Sequence, residues 1–373
     1  MIKNIIKKIV KVFIELVVKF TTYKNEKKNI KRKSKLFKNI ELSNEEIREV
    51  EEIWIKNYGK KFSLDWHKLY MSYTGKFDKY YFPEILFTTK LLDILNPRKT
   101  KLALADKILI NSLFADIKDE NYRSINNYIY NCNGYYYDKD GIITYKQAIE
   151  KLNNIGEVII KPTTETSSGK NVQLLNIIEG KDVKTERNLC DILEQYNKNF
   201  TIQEKIVQHK LFSQLNPSSV NTIRINTYIC EDKVYCAPIA MKMGRNGNIV
   251  DNGRAGGVQI GVKEDGTLRK FAFTEYGEKF DRHPDTNIVF ENYKIPKIRE
   301  LIEFTKKYHY KVPHIGIIAW DLAIDENGKI IIIEANICAP SIWFPQYVNG
   351  EAFFGENTEK MIKMIKRGKK NEK

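Results

Sequence analysis

The chain has 373 residues, of which 42% are hydrophobic and 29% are charged, as is typical of a globular protein with a substantial core. Its formal net charge of +15 is concentrated at the two ends. Residues 1–38 carry 13 Lys and Arg against two Glu, and residues 360–373 carry seven against one, so residues 39–359 carry only −2. This distribution argues against a basic nucleic-acid groove across the body.

The cysteines indicate a reducing compartment. There are five, an odd number, and none forms a CxxC pair: Cys132, Cys190, Cys230, Cys236 and Cys338. This usage favours the cytoplasm over a disulfide scaffold. No uncharged apolar segment with a small-residue cleavage site is recognisable as a signal peptide. We therefore expect a cytoplasmic protein.

Residues 1–20 predict a basic amphipathic helix, with polar residues at positions 3, 4, 7, 8, 11, 15 and 19. Charges at such short intervals exclude a membrane-spanning helix. Two interpretations remain. The helix lies on an anionic membrane surface, which would place the protein peripherally on its inner face, or it packs on the protein. The following KNEKKNIKRKSK reads as a solvated basic linker, and together they form a basic N-terminal segment, residues 1–38.

The rest of the chain divides by its patterns into four segments. Residues 39–104 predict a helical region, which opens with a capping box, Ser43-x-x-Glu46. Residues 105–200 alternate between helix and strand, with Asp106 as a helix cap. Residues 201–359 are rich in strands and tight turns, which predicts an antiparallel sheet. Residues 360–373 form a basic tail.

Residues 315–336 predict a β-hairpin around the turn Asp325-Glu326-Asn327-Gly328. If Asp325 pairs with Gly328, Asp321 lies opposite Ile332. Side chains alternate between faces with period two, so Asp321, Glu334 and Asn336 would share one face. An odd loop would destroy this parity.

Oxygen-bearing side chains converging on one face of apolar strands suggest a Mg²⁺ site, since hard oxygen ligands suit this ion. The alternative is a half-solvated face that carries acids by chance. If the metal interpretation is right, the face should be electrostatically overloaded without a cation. We would then expect Asp321→Asn and Glu334→Gln to leave the stability of the metal-free protein equal or higher.

The segment EVIIKPTTETSSGKNVQLL delivers Lys161 at the end of a strand and continues into a loop with Ser167, Ser168, Gly169 and Lys170. Small residues let backbone N–H groups approach phosphate oxygens, and lysine supplies a point charge. The segment matches neither a Walker loop nor a dinucleotide fingerprint. The alternative is an ordinary turn.

Two further segments carry candidate substrate contacts. NPSSVNTIRINTY places Arg224 on a strand, where it could clamp a phosphoryl group or a carboxylate, unless it forms a surface cross-strand pair. MGRNGNIVDNGRAGGVQIGV and RHPDTN supply the other candidates, although Gly-Gly and Asp-Asn are also ordinary turn chemistry and a loop histidine can be merely polar. These candidates are Arg245, Asp251, Asn252, Arg254, Gly256, Gly257 and His283.

The order of these motifs resembles the ATP-grasp superfamily: Asp106-Lys107, IIKP with its Gly-rich loop, IQEKI, NTIRI, Asp321 and EAN. The segments NPSSVNTIRI, DNGRAGGVQIGV, RHPDTN and AWDLAIDENGKIIIIEAN are similar to the sugar-transfer-associated branch, which is often associated with polysaccharide biosynthesis. The resemblance covers roughly residues 105–350. It implies an α/β (α+β) ATP-grasp fold, with two subdomains, 105–200 and 201–359, that clasp MgATP.

The resemblance also implies roles for individual residues. Lys107 and Lys161 would contact the ATP phosphates, with the loop Ser167–Lys170 closing over them. Gln203, Glu204 and Ile206 would form the adenine hinge, and Arg224 would touch the transferred phosphate. Asp321, Glu334 and Asn336 would hold Mg²⁺. The pattern departs at Gln208-His209, where His209 replaces a clear acidic ribose ligand, and residues 1–104 lack a βαβ domain that would place the acceptor.

The function that the resemblance implies is ATP-dependent ligation of a small-molecule carboxylate, such as a sugar acid or an amino acid, to an amine through an acyl phosphate. The cofactors would be ATP and Mg²⁺, and no nucleic-acid partner is expected. A kinase with a hydroxyl acceptor and a non-catalytic, membrane-associated nucleotide-binding protein are the alternatives. The substrates and the oligomeric state stay open at this level.

Overall fold

The computed structural model describes residues 2–164 and 169–371. Its α-helices, in chain order, are α1 Ile2–Arg32, α2 Ser34–Phe37, α3 Asn44–Tyr58, α4 Asp65–Thr74, α5 Glu84–Leu86, α6 Leu92–Leu95, α7 Arg98–Ala103, α8 Lys107–Ser112, α9 Tyr145–Leu152, α10 Leu189–Tyr196, α11 Lys210–Ser213, α12 Ile298–Tyr308, α13 Trp343–Asn349 and α14 Thr358–Asn371. A π-helical turn, Phe87–Leu91, joins α5 to α6.

The strands form two antiparallel sheets. In chain order they are β1 Asn127–Cys132, β2 Tyr135–Asp138, β3 Gly141–Ile143, β4 Gly156–Pro162, β5 Gln173–Ile178, β6 Lys181–Asp182, β7 Phe200–Glu204, β8 Thr222–Cys230, β9 Lys233–Cys236, β10 Ile239–Met243, β11 Val258–Val262, β12 Leu268–Phe273, β13 Lys279–Phe280, β14 Ile317–Ile324 and β15 Ile330–Asn336. The small sheet has the order β3-β2-β1-β7-β4-β5-β6, and the large sheet has the order β13-β12-β11-β10-β8-β14-β15, with β9 beside β8.

The large sheet is covered on both faces. Alternate residues of β8 separate the two sides, because neighbouring side chains on a strand point in opposite directions. Ile223 and Ile225 pack with α12 in one core, while Tyr228 packs on the other side with the N-terminal helices, α13 and α14. Thr222 and Arg224 share the face of Tyr228 but lie beyond the apolar core. A polar site therefore occupies one end of a face that is otherwise buried.

The small sheet packs α9 and α10 against one face, where Ile160 and Ile202 join a compact apolar cluster. Lys161, Thr201 and Gln203 lie on the opposite face, since they alternate with these residues and Lys161 pairs with Thr201. Strand β7 belongs to this sheet, so the subdomain boundary predicted after residue 200 falls inside a strand.

The predicted helix starts are confirmed. Ser43 and Glu46 form a reciprocal capping box at the start of α3. Asp106 caps α8 by accepting hydrogen bonds from the backbone N–H groups of Ile108 and Leu109, at 2.7 and 3.2 Å. Both caps satisfy N–H groups that have no partner within the helix.

The prediction that KNEKKNIKRKSK, residues 24–35, forms a solvated linker is wrong. Helix α1 continues to Arg32, and α2 follows almost at once. Lys33, at the junction, is buried: its Nζ lies 3.0 Å from Glu275 Oε1 and 3.4 Å from the centroid of the Trp343 ring. Ile30 and Leu36 pack on the core of the N-terminal helices. A run of basic residues normally predicts a solvated segment. Here partners that are distant in sequence fix the segment to the body.

The register of the β14–β15 hairpin also differs from the prediction. The N–H of Asp325 donates to the carbonyl of Lys329 at 2.9 Å, so the loop has three residues and ends with Gly328 at φ +75°. An odd loop reverses parity, but an additional residue, Ile333, is accommodated as a β-bulge and restores it. Asp321 therefore lies opposite Glu334, not Ile332.

Within the described ranges, no helix combines the length and apolar content needed to cross a membrane.

Candidate active site

The site is built around a buried pair between Asp321 and Arg224, which lie directly opposite each other on β14 and β8. The guanidinium donates two hydrogen bonds to the carboxylate, Nε to Oδ1 at 2.7 Å and Nη2 to Oδ2 at 2.8 Å. Lys242 of β10 adds a third contact, with its Nζ 3.0 Å from Asp321 Oδ1. A single carboxylate thus holds two buried cations on one face of the sheet.

The opposite charges determine the protonation of Asp321. Burial alone would raise the pKa of this carboxyl, but Arg224 and Lys242 outweigh that effect and hold the pKa far below its ordinary value. Asp321 is therefore charged under all ordinary conditions. The expectation that this face is overloaded with negative charge is wrong, because the cations that neutralise it are part of the protein.

Asp251 completes the charge balance beside Lys242, whose Nζ lies 3.7 Å from Asp251 Oδ1. Its other oxygen accepts hydrogen bonds from the hydroxyl and, at 3.2 Å, from the backbone N–H of Thr222. Burial raises the pKa of Asp251, and the neighbouring Lys242 only partly offsets this. The candidate substrate residue Asp251 thus lies within the charged cluster.

Glu334, Lys107 and Lys161 form the part of the site where the large sheet meets the small sheet. Lys107 Nζ lies 3.4 Å from Glu334 Oε1, and both side chains remain partly exposed. Lys161 is buried, and among the described residues no carboxylate oxygen lies within 4 Å of its Nζ. Lys107, Lys161, Arg224 and Lys242 together form what we call the cation cluster, which draws from both sheets.

The start of α8 fixes Lys107 beside the end of β4. The backbone N–H of Lys107 donates to the carbonyl of Thr163 at 3.1 Å, and the hydroxyl of Thr163 donates to Asp106 Oδ2 at 3.0 Å. Asp106 therefore caps the helix and ties it to the segment that follows Lys161. Contacts between the start of α8 and the residues after β4 thus bring Lys107 close to Lys161, as the resemblance implies.

Burial lowers the pKa of Lys161 to about 8, and repulsion from Lys107 adds to this effect while Glu334 opposes it. If this ammonium binds phosphate, we expect the affinity for ATP to be constant below pH 8 and to fall by up to about tenfold per pH unit above it. Lys161→Met should bind ATP weakly and lack this dependence, whereas Lys161→Arg should bind without a loss above pH 8. Calorimetric titration between pH 7 and 9.5 measures both effects.

Lys139→Met serves as the matched control for that titration, since Lys139 is an exposed lysine on the small sheet's edge turn. It should reproduce the wild-type curve. A wild-type affinity that does not change between pH 7 and 9.5 would remove Lys161 from the phosphate site.

The Gly-rich loop is described from Gly169 onward. Gly169 has φ +71°, and a Cβ built on it would lie 3.0 Å from Val250 Cγ1, so the two loops are in contact across the cleft. Lys170 is exposed. The predicted phosphate contacts of Ser167 and Ser168 lie outside the described residues.

The residues predicted as an adenine hinge lie along β7 and just beyond it. Gln203 is buried on the cleft face of the small sheet, and Ile206 packs with Ile125 and Ile331 between the two sheets. Glu204 Oε1 accepts hydrogen bonds from the backbone N–H of Asn126 at 2.7 Å and from Arg123 Nη1 at 2.5 Å. Glu204 thus has partners within the chain, and its nucleotide role stays a prediction.

His209 and Gln208 contact the protein's own backbone. His209 Nδ1 accepts a hydrogen bond from the N–H of Leu211 at 3.2 Å and so caps α11. Gln208 is buried, donates to the carbonyl of Ser219 at 2.8 Å and accepts from the N–H of Asn221 at 3.0 Å. Both side chains anchor the segment that leads into β8. These contacts explain the presence of Gln208 and His209 at the position where the family pattern has an acidic ribose ligand.

The loop 244–257 is held in place by contacts within the loop and by a salt bridge to Glu278. Arg245 Nε donates to the carbonyl of Gly256 at 2.5 Å, and its Nη2 lies 3.0 Å from Glu278. A Cβ at Gly257 would lie 2.6 Å from the carbonyl oxygen of Asp251, so only glycine fits there. Asn252 caps a short 3₁₀ turn by accepting from the N–H of Arg254 at 2.9 Å.

His283 is fully buried. Its Nε2 lies 2.9 Å from the carbonyl of Gly244 and therefore carries the proton, while Nδ1 accepts from the N–H of Asp285 at 3.2 Å. Burial lowers the pKa of His283. Both ring nitrogens are used within the chain, so His283 shapes the loop at Gly244 and offers no free nitrogen to a substrate.

Sequence reasoning missed Lys242 and Asn226. Lys242 is the single charge in the apolar strand IAMKM, which is a signal that could have identified it. Asn226 lies two residues from Arg224 on the same face and is fully buried. Within the described part of the chain, neither atom of its amide has a hydrogen-bond partner, which costs about 1–3 kcal/mol. Nothing in its sequence context distinguishes Asn226.

The three residues predicted to hold Mg²⁺ differ in how free their oxygen atoms are to bind it. Glu334 and Asn336 are partly exposed, and Asn336 uses its Nδ2 to donate to Asp321 at 3.1 Å, which leaves its Oδ1 free of that contact. Asp321 already binds Arg224 and Lys242 with both oxygens. Glu334 and Asn336 would therefore hold the ion directly, and Asp321 would share an oxygen with it. This set suits an ion that takes few protein ligands.

The small sheet and the polar end of one face of the large sheet meet at the cation cluster, an arrangement that defines an ATP-grasp protein. The chain belongs to the sugar-transfer associated ATP-grasp family, whose model matches residues 86–361. No curated protein sequence matches the chain.

Similar solved structures include an L-amino acid ligase from Bacillus licheniformis, with 13% identity, a TM-score of 0.37 and coverage of 71% of this chain and 49% of that one. A D-alanine-D-alanine ligase from Coxiella burnetii has 10% identity, a TM-score of 0.40 and coverage of 73% and 61%. The ligase PsnB, complexed with a precursor variant, Mg and ADP, has 12% identity, a TM-score of 0.36 and coverage of 73% and 61%. The chain spans about half to three fifths of their lengths.

Proposed function

We propose that the protein is an ATP-dependent carboxylate–amine ligase that acts through an acyl phosphate. The observation that carries this proposal is the cation cluster, in which three side chains from the two sheets and one from α8 converge beside Asp321 and Glu334. Transfer of a phosphoryl group requires positive charge arranged in advance around the γ-phosphate and the leaving oxygen. Membership of the ATP-grasp family supports the same chemistry.

The reaction has two steps. A substrate carboxylate oxygen attacks the γ-phosphorus, the bond to the β-phosphate oxygen breaks, and ADP and an acyl phosphate result. The nitrogen of an uncharged amine then attacks the carbonyl carbon, the C–O bond to phosphate breaks, and the amine proton passes to solvent as the amide forms. No protein nucleophile is needed, so the residues act by position and charge.

The chain's own residues have distinct tasks in this scheme. Lys107 and Lys161 bind the phosphates from the small-sheet side, and Arg224 meets the transferred group from the large sheet. Asp321 fixes the orientation of Arg224 through two hydrogen bonds. Bound Mg²⁺ would neutralise phosphate charge beside Glu334 and Asn336.

We infer that the carboxylate belongs to a sugar acid or an amino acid and that the product serves surface polysaccharide biosynthesis at the cytoplasmic face of the membrane. The description of the family as sugar-transfer associated supports this assignment. Exposed Arg254, in the loop next to the site, offers a positive charge to such an acid.

A hydroxylamine trap tests the reaction. The protein is incubated with MgATP, hydroxylamine and a panel of uronic sugars and amino acids, and we expect ADP release together with a hydroxamate of one acid class, because hydroxylamine intercepts acyl phosphates. Lys161→Met should lose both signals, and Lys139→Met should keep them.

Other outcomes of the same experiment overturn the ligase. ADP release with a phosphorylated sugar and no hydroxamate identifies a kinase. Tight MgATP binding without turnover on the whole panel identifies a non-catalytic nucleotide-binding protein.

A further inference from the structure

Between Val10 and Phe20, helix α1 points apolar side chains away from the protein. All the large apolar side chains described in this stretch are exposed, among them Phe13 at 65%, Leu16 at 60% and Phe20 at 67%. At about 100° per residue, the exposed apolar side chains of this stretch cover an arc of roughly 200°. An amphipathic helix that packs on its own protein normally buries this arc.

The opposite side of α1 faces the body. Thr22, Glu26, Ile30 and Lys33 are buried or half-buried, and by the same rotation they lie on the side opposite Phe13. Ile30 packs on the core of the N-terminal helices. The second half of the helix therefore packs on the protein, as one of the two interpretations predicts. The side that faces the protein there is largely polar.

The second half of α1 reaches the substrate end of the cleft. Burial raises the pKa of Glu26, whereas the charges of Lys33 and of Arg254 in the loop 244–257 lower it, so the helix and that loop are electrostatic neighbours. Lys33 contacts Trp343, the first residue of α13. The next residue of α13, Phe344, has its ring centroid 5.2 Å from the guanidinium carbon of Arg224. Phe13 and Glu26 are roughly 20 Å apart along one helix.

We propose that residues 10–20 of α1 dock the protein on an anionic membrane surface and hold the cleft close to it. Residues 1–38 carry 13 Lys and Arg against two Glu, and anionic lipids attract each such charge. A second copy of the chain would bring the same positive charge to the same face and repel it. Residues 10–20 lie in the interface, with their apolar arc toward the acyl chains, and the second half of the helix fixes them to the body.

The experiment is vesicle sedimentation of the full-length protein. We expect binding to phosphatidylcholine vesicles that contain 30% phosphatidylglycerol at low salt, with binding at least about tenfold weaker on pure phosphatidylcholine. Phe13→Glu and Phe20→Glu should each weaken binding about tenfold or more. Both positions are exposed, so the variants should fold, and circular dichroism checks this.

Ile142→Glu and Tyr310→Glu are the matched controls, because these apolar side chains are as exposed, at 72% and 68%, but lie elsewhere on the body. They should bind like the wild type. Loss of binding in the controls, or retention in Phe13→Glu, overturns the proposal. The proposal is also overturned if the wild type is a dimer in sedimentation equilibrium and Phe13→Glu converts it to a monomer without changing vesicle binding. The hydroxylamine trap without vesicles tests the ligase separately.

Discussion

Replacing Asp321 with asparagine should lower the free energy of unfolding of the metal-free protein by about 3–5 kcal/mol, since removal of one member of a buried ion pair leaves its partner uncompensated. Here two partners, Arg224 and Lys242, would lose their common carboxylate. The asparagine side chain retains the volume but offers one acceptor oxygen where two now accept from Arg224. The loss should persist across neutral pH, because Asp321 stays charged far below it.

Urea denaturation of the metal-free protein measures this loss. Glu334→Gln is the matched control, because its partner Lys107 is at 3.4 Å and both are partly exposed, so the change should stay within about 1 kcal/mol. If Asp321→Asn is as stable as the wild type, the carboxylate is not the structural counter-charge of the cluster.

Glu334→Gln should instead abolish most of the stabilisation that MgATP confers. A ligand that binds only the folded state raises the melting temperature according to its affinity, and loss of a carboxylate ligand weakens the hold on Mg²⁺. Turnover should fall on the order of 10²-fold or more, because a bound metal contributes several kcal/mol to stabilising developing charge. Thermal shifts with and without MgATP, together with ADP release, measure both effects.

Asn336→Ala should show the same pattern more weakly, since a neutral amide contributes less to binding a cation. The control is Glu278→Gln, which removes an exposed carboxylate that pairs with Arg245 outside the cluster. A Glu334→Gln protein with the full MgATP shift and normal turnover would place the metal site elsewhere.

The shared face of Asp321, Glu334 and Asn336 was predictable, but the way it is achieved was not. Sequence alternation correctly groups the three residues. The loop length was misjudged because Asp325 pairs with Lys329, and only the bulge at Ile333 restores the parity. Asn-Gly signals a turn but does not fix whether the loop has two or three residues.

The electrostatics of the site could not be derived from the sequence because its partners come from separate strands. Lys242 meets Asp321 only after β10, β8 and β14 have paired in that order. Lys33 gave no sign of burial within its basic run, since its partners Glu275 and Trp343 lie more than 240 residues away. Local patterns predict caps and strands, whereas these contacts depend on topology.

Arg123 forms salt bridges to both sheets. It binds Glu204 at the end of β7 and Asp325 in the hairpin turn of the large sheet, at 2.5 and 2.6 Å. Away from Arg123, a Cβ built on Gly169 would lie 3.0 Å from Val250 Cγ1, so these two loops are in contact. A rotation of one sheet against the other about Arg123 would separate the loops at Gly169 and would also have to break the Lys107–Glu334 pair. If the adenine base binds at the predicted hinge of Gln203, Glu204 and Ile206, it would stay near this axis while the opening over the phosphates widens.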